Sequence, residues 1–378
     1  MKIPFNEPYL TGNEATYIGQ ALAEKHLVGN GSFTAKCHRW MQETLGSPKA
    51  LLTPSCTAAL EMTALLANIK TGDEIIMPSY TFVSSANAFV LRGGVPVFVD
   101  IKPDTINIDE TKIEQAITSK TKAIVVVHYA GVACEMDEIL AIAKRHKLLV
   151  IEDAAHAILA KYKGRFLGTL GDLSTLSFHA TKNIISGEGG ALIINDRAYI
   201  ERSEIIWEKG TDRSKFFRGL VDKYTWVDIG SSYLAGEITA AFLFAQLERA
   251  EEINALRMKI WNEYLKDFGS LAASGKVQIP FIPSSAEHNA HAFYLVFSSL
   301  ELRTKFIATL REKGIGTVFH YIPLHSSPAG RQYGRTSGSM EVTDKIGNQL
   351  VRLPLSAGMS HDQVQRVVSE VTSFCKAL

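Results

Sequence analysis

The run Ser177-Phe178-His179-Ala180-Thr181-Lys182-Asn183 reads as the exit of a β-strand, and Ser186-Gly187-Glu188-Gly189-Gly190 follows it. A lysine just past a strand end, beside a glycine-rich turn that lets backbone approach a ligand closely, suits a Schiff base with an aldehyde. One strand earlier, Val150-Ile151-Glu152-Asp153-Ala154-Ala155-His156 ends in two carboxylates and a small-residue turn. An acid at that edge keeps a basic ring nitrogen protonated, because an ion pair holds its charge in a low-dielectric site. His156 falls near the same ring. The third group is Leu51-Leu52-Thr53-Pro54-Ser55-Cys56-Thr57-Ala58-Ala59-Leu60. Its Pro-Ser-x-Thr turn opens a helix and presents unpaired N–H groups and hydroxyls to a phosphate. Taken singly, each group has a plainer reading: a helix cap for Ser55 or Asp153, a satisfied core imidazole for His156, a solvated surface lysine for Lys182. Taken together, a phosphate, a basic ring nitrogen and an aldehyde describe one ligand, pyridoxal 5′-phosphate (PLP).

These groups need a scaffold that brings strand ends together. Short apolar runs at Glu74–Met77, Val95–Val99, Ala123–Val127, Leu148–Glu152, Thr175–Phe178 and Ala191–Ile194 alternate with helical patterns such as Thr57–Asn68 and Met136–His146. That alternation predicts an α/β domain with a mostly parallel sheet covered on both faces, whose ligands collect at the carboxyl ends of the strands. A strongly amphipathic helix is expected from Gly236 through Glu252, continuing as a linker helix to Phe268. Beyond it the pattern predicts strands at Val277–Pro280, His291–Ser298 and Gly316–His320, a helix at Leu302–Lys313 and a terminal helix from His361. The expected division is an N-terminal arm and large cofactor-binding domain over residues 1–250 and a smaller α/β domain over 251–378.

Composition narrows the function classes. The 378 residues are 46% hydrophobic and 21% charged, which argues against disorder. Forty basic and thirty-nine acidic side chains give a net charge of +1, so no general electrostatic pull toward nucleic acid or anionic lipid is expected. No apolar run approaches the ~20 residues needed to cross a bilayer, and the first residues lack a secretory pattern, so a cytoplasmic protein with no membrane partner is expected. Cys37, Cys56, Cys134 and Cys375 are widely spaced. They predict neither a disulfide framework nor a zinc site. His320 and His325 are separated by Pro323, which argues against a helix-face metal pair.

The combination of Pro78–Phe82, Glu152–His156, Ser177–Lys182 and Gly187–Gly190 resembles the DegT/StrS sugar nucleotide aminotransferases, and the resemblance runs from Pro4-Phe5-Asn6 to Arg352-Leu353-Pro354-Leu355. It implies the type I PLP-dependent aspartate aminotransferase fold and a homodimer with shared active sites. Carried over residue by residue, it implies that Lys182 forms the Schiff base and Asp153 pairs with the pyridinium. Phe82 stacks on the ring, and Cys56, Thr57 and Ser177 hold the phosphate. His156 approaches the ring oxygen or flanks the ring; many relatives carry Gln there. Where relatives send an Asn to the neighbouring subunit's phosphate, this chain has Ser232, a shorter side chain. Segments Leu51–Cys56, Met77–Gly93, Val127–Asp137, Lys209–Gly230 and Phe319–His325 are most similar to the transaminases that make dTDP-4-amino-4,6-dideoxygalactose for enterobacterial common antigen. The implied acceptor is dTDP-4-keto-6-deoxy-D-glucose and the implied donor L-glutamate.

The substrate side is less determined. The interval around Lys209, Arg213 and Trp226 has cations for a pyrophosphate and aromatics for a base, and the same composition suits a dimer-contact loop. His320 and Tyr321 lie where a hexose or a donor carboxylate would be met. Among rival readings, the related sugar 3-dehydrases carry His in place of the Schiff-base lysine, and a nicotinamide enzyme would want G-x-G-x-x-G after a strand. An aminotransferase for a different keto sugar nucleotide and a non-catalytic PLP-binding regulator are the remaining alternatives.

Overall fold

A computed structural model describes residues 2–378. The apolar runs form one eight-stranded sheet in the order Lys49–Thr53, Gly190–Ile194, Leu173–Ser177, Leu149–Asp153, Thr121–Val127, Glu74–Pro78, Val95–Val99 and Arg335–Thr336. Gly190–Ile194 pairs antiparallel with both neighbours, and every other pairing in this sheet is parallel. Side chains alternate between two cores: Leu52, Ile76, Val97, Ile124, Val126 and Ile193 on one face, Leu51, Ile75, Phe98, Ala123, Val125 and Leu192 on the other. A strand buried on both faces must be apolar at every position, which is why these runs are legible in sequence. Helices Ser32–Leu45, Met136–His146 and Glu237–Leu247 cover the first face; Cys56–Leu66, Val83–Val90 and Ile200–Trp207 cover the second.

The strands that carry the chemistry end on one edge. Gly190, the first residue of the antiparallel strand, pairs with Thr53 on one side and Ser177 on the other. Asp153 pairs with Thr175 and Val127. Four loops therefore meet at that edge.

The structure departs from the sequence expectations at several elements. Lys49–Thr53, read from sequence only as the approach to a turn, is a full strand. The helix expected from Gly236 through Glu252 breaks after Leu247 and resumes as Ala250–Ala273. Its first part is not strongly amphipathic: Ala240, Ala241, Leu243, Ala245, Gln246 and Leu247 are all buried, because it lies between the first core and the N-terminal helices. The strands expected at Val277–Pro280 and Gly316–His320 reduce to single bridges, Gln278 with Val296 and Val318 with Arg352. Their partners, Tyr294–Val296 and Leu350–Arg352, are only three residues long, too short to template a wide sheet.

Beyond residue 250 a third core forms from Trp261, Tyr264, Phe268, Phe293, Leu295, Phe306 and Val367, joined by Ile3 from the N-terminus. Ile253 packs in the first core and Ile260 in the third, so the long helix Ala250–Ala273 passes from one to the other. The two parts also share the large sheet, because Arg335–Thr336 adds to its edge strand Val95–Val99. Tyr80, Tyr129, Tyr294 and Leu350 form a smaller cluster where the parts meet, next to the carboxyl edge. No helix among the described residues is long and apolar enough to cross a membrane.

Candidate active site

A cavity of about 690 Å³ lies at this edge. Lys182 lines it from a tightly folded turn: Ala180 N–H donates to Gly187 O at 2.8 Å, Phe178 N–H to Gly189 O at 2.9 Å and Lys182 N–H to His179 O at 2.9 Å. Asn6 Nδ2 adds a bond to Ala180 O at 3.0 Å. Gly187 closes the turn with φ +81°, a conformation that side-chain-bearing residues adopt at a cost. Burial lowers the Lys182 amine below its ordinary pKa, while Asp153 pulls the other way. The share of uncharged, nucleophilic amine is thereby larger than for an exposed lysine.

Of the two adjacent carboxylates, only Asp153 lines the cavity. Consecutive strand residues face opposite sides. Glu152 points away and accepts from the N–H groups of Gly168, Leu170 and Gly171 at 2.8, 2.7 and 2.7 Å, and lies 2.9 Å from His128 Nε2. It braces the loop after the strand. Asp153 is held by Ser85 Oγ–H at 2.7 Å and by Ala155 N–H at 3.2 Å, and Thr81 stands 2.9 Å behind Ser85.

Ser55 caps the helix Cys56–Leu66, accepting from Ala58 N–H at 3.1 Å. The first-turn N–H groups at Cys56 and Thr57 then have no intrahelical acceptor, which makes the helix start an anion site. Thr57 Oγ1 meets Ser84 Oγ at 2.8 Å, and Ser177 lines the cavity beside them. Gly190 permits this approach: a Cβ there would come 2.3 Å from Cys56 N and 2.4 Å from Ser55 C. Phe82, 56% exposed although it lines the cavity, offers a free apolar ring. An amine, a fixed carboxylate, an uncovered aromatic ring and a glycine-cleared helix start are the partners that PLP's aldehyde, ring nitrogen, ring face and phosphate require, so the residues fit that cofactor.

Around them stands a stack of neutral rings. His156 lies 4.0 Å from His291 and 5.7 Å from His320 between centroids, and His320 lies 3.6 Å from Tyr321. Ala130 N–H donates to His156 Nδ1 at 3.3 Å, which puts the ring hydrogen on Nε2, 3.2 Å from Tyr321 Oη. His320 Nδ1 lies 2.7 Å from Tyr129 Oη. Burial drives all three imidazoles well below their ordinary pKa, and the Lys182 and Arg352 charges add to it.

Cys56, Thr57, Phe82, Asp153, His156, Ser177, Lys182, His320 and Tyr321 all line this cavity. Ser232, Lys209 and Arg213 do not. Ser232 is exposed and bridges Glu208. Lys209 takes a left-handed φ of +66° and donates its N–H to Ser231 O at 2.9 Å. Arg213 pairs with Glu208 at 3.6 Å and stacks on Phe217. His325 diverges from His320, its Nδ1 2.8 Å from Ser79 Oγ and its Nε2 3.3 Å from Asp344.

Sequence reasoning missed Ser85, His291 and Arg352. Ser85 and His291 carry no local signal. Arg352 does, as the one charge in the apolar run Leu350-Val351-Arg352-Leu353-Pro354-Leu355. Its guanidinium lies 4.7 Å from the Phe5 ring and reaches Phe319 O only at 3.4 Å, and its Nε has no partner.

The family model for DegT/DnrJ/EryC1/StrS aminotransferases matches residues 8–372. An uncharacterised protein of Methanocaldococcus jannaschii is 38% identical over 348 residues, 90% of this chain and 89% of its own length. The GDP-perosamine synthase of Escherichia coli O157:H7 is 32% identical over 376 residues, 98% of each chain. A solved Streptococcus pneumoniae protein in its PLP form superposes with a TM-score of 0.91 at 26% identity, covering 100% of this chain and 99% of that one.

Proposed function

Since the chain belongs to the DegT/DnrJ/EryC1/StrS aminotransferase family and is a PLP-dependent sugar aminotransferase, we propose that it moves an amino group from L-glutamate to C-4 of a nucleotide-linked 4-keto-6-deoxyhexose. The observation that carries this reading is the convergence of Lys182, Asp153 and the Cys56 helix start on one cavity. The acceptor proposed is dTDP-4-keto-6-deoxy-D-glucose and the product dTDP-4-amino-4,6-dideoxy-D-galactose, a building block of enterobacterial common antigen. Support comes from the segments Leu51–Cys56, Lys209–Gly230 and Phe319–His325 that resemble such transaminases. A GDP-linked acceptor is the second reading, favoured by the 32% identity to a GDP-perosamine synthase.

Each residue then has a defined task. Asp153, oriented by Ser85 and Ala155 N–H, faces the ring nitrogen; the Cys56 and Thr57 N–H groups with Ser177 take the phosphate; Phe82 covers one ring face. PLP, when bound, supplies the carbonyl carbon that carries the amino group and the ring that delocalises negative charge. Lys182 Nζ, released from its covalent role, takes the proton from the donor's α-carbon in one half-reaction and delivers one to C-4 of the sugar in the other. Arg352 has no carboxylate partner and binds a carboxylate of the donor. His156, His320 and Tyr321 stay neutral and offer hydrogen bonds to hexose hydroxyls while keeping water away from the reacting carbon.

The active unit proposed is a homodimer in which Ser232, and the loop bearing Lys209 and Arg213, reach the neighbouring site. That loop exposes Phe217, Leu220 and Trp226 at 64%, 67% and 78%, an apolar surface that a partner subunit would cover. Incubation with L-glutamate and a panel of dTDP- and GDP-linked 4-keto sugars, read by mass spectrometry, tests the function. An amino sugar from the dTDP compound alone supports the first reading, and one from the GDP compound alone supports the second. PLP binding without turnover of any acceptor would leave the regulator.

A further inference from the structure

Arg257, on the helix Ala250–Ala273, is only 4% exposed. Its Nε donates to Ala290 O at 3.2 Å and its Nη2 to His291 O at 2.8 Å, and these are its only hydrogen-bond partners among the described residues. No carboxylate among the described residues pairs with it. Burial lowers its pKa to about 9, so it remains cationic at neutral pH. Arg352 is the second such group, its Nε buried without a partner and no carboxylate at hand. Arg257 and Arg352 both line one small cavity, together with Asn6, Thr181 and His291.

A buried cation without a counter-charge is costly. Carbonyl oxygens satisfy hydrogen-bond geometry but carry no full negative charge. The cavity, about 20 Å³, has room for about one water-sized particle, too little for a phosphate or a carboxylate with its carbon. We propose that this cavity is a binding site for one halide-sized monovalent anion, held between Arg257 and Arg352. Phe5, Thr181, His291 and Arg352 line this cavity and the main one alike. The anion therefore sits behind Arg352, which shares the main cavity with Lys182, neutralising Arg257 and steadying Arg352. Nothing in this depends on which sugar the enzyme aminates.

Crystals of the PLP-loaded enzyme soaked in sodium bromide and measured at the bromine edge should show an anomalous peak between the two guanidinium groups. In solution, the thermal midpoint should rise by roughly 2–5 °C in potassium chloride relative to potassium gluconate at equal ionic strength. Arg257→Met should abolish that chloride-specific increment. Absence of the bromide peak together with equal midpoints in the two salts would overturn the site, as would an Arg257→Met protein that keeps the full increment. Should Arg257→Met not fold, the wild-type bromide map decides alone: a peak there supports the site, and a cavity holding only water refutes it.

Discussion

Replacing Ser85 by Ala should slow the reaction solely through Asp153. Ser85 Oγ donates to Asp153 Oδ2 at 2.7 Å with both residues buried, and the only other bond to that carboxylate among the described residues is the longer one from Ala155 N–H at 3.2 Å. A hydrogen bond to a charged group is worth about 1.5–3 kcal/mol. At 1.36 kcal/mol per decade, full expression of that energy in the transition state is a loss of roughly 10- to 150-fold in kcat/KM. Asp153→Asn keeps the shape and removes the charge, which should cost ~10²–10³-fold in kcat, the scale for a removed charge stabiliser in a dry site. The informative variant is the double substitution. If Ser85 acts by holding the carboxylate, Ser85→Ala should cost less than about threefold once Asp153 is Asn, because residues acting as a unit are not additive. The assay is 2-oxoglutarate release from L-glutamate in the isolated first half-reaction, normalised to bound PLP. An equal Ser85→Ala penalty in both backgrounds would refute the positioning argument, and a wild-type rate in fully loaded Asp153→Asn would refute the role of the charge.

Lys182→Ala should abolish multiple turnover and the borohydride-fixed cofactor mass on the protein; retained covalent mass would move the attachment point elsewhere. Cys56 lines the cavity, yet burial, aided by the Asp153 charge, pushes its thiol up to about 12. Its alkylation by iodoacetamide, followed by peptide mass, should therefore be slow at pH 7 and accelerate as pH rises, and rapid labelling at neutral pH would contradict this environment. Gly190→Ala drives a methyl to 2.3 Å from Cys56 N, so PLP retention on dilution should weaken by ~1–3 kcal/mol of forced repacking; unchanged retention would mean that the helix start does not hold the phosphate. Mixing Lys182→Ala with Ser232→Glu under conditions that exchange subunits should restore part of the activity, because one site of the mixed dimer has both native residues. No recovery despite demonstrated exchange would defeat the shared-site proposal.

Sequence alone determines the chemistry available to this chain and the elements that carry it. Asp153 and Lys182 stand where a strand gives way to a turn, and Ser55–Thr57 stands where a strand passes into a helix; such changes are written in neighbouring residues. The parallel strands are legible for the same reason, since burial on both faces demands an unbroken apolar run. What tertiary structure decides is which of these residues meet and what surrounds them. Sequence shows Glu152 and Asp153 as equals; the pleat, once the sheet is placed, aims one at loop amides and the other at the cavity. Ser85 looks like packing in a helix of small residues until strand order brings it to Asp153, 68 positions away. His156 and Tyr321 meet across 165 positions, and Arg257 and Arg352 come to one small cavity from a helix and a strand far apart in the chain. Local periodicity extends over a few turns of backbone, whereas these contacts follow from the order of strands and the packing of cores, quantities that no stretch of adjacent residues encodes.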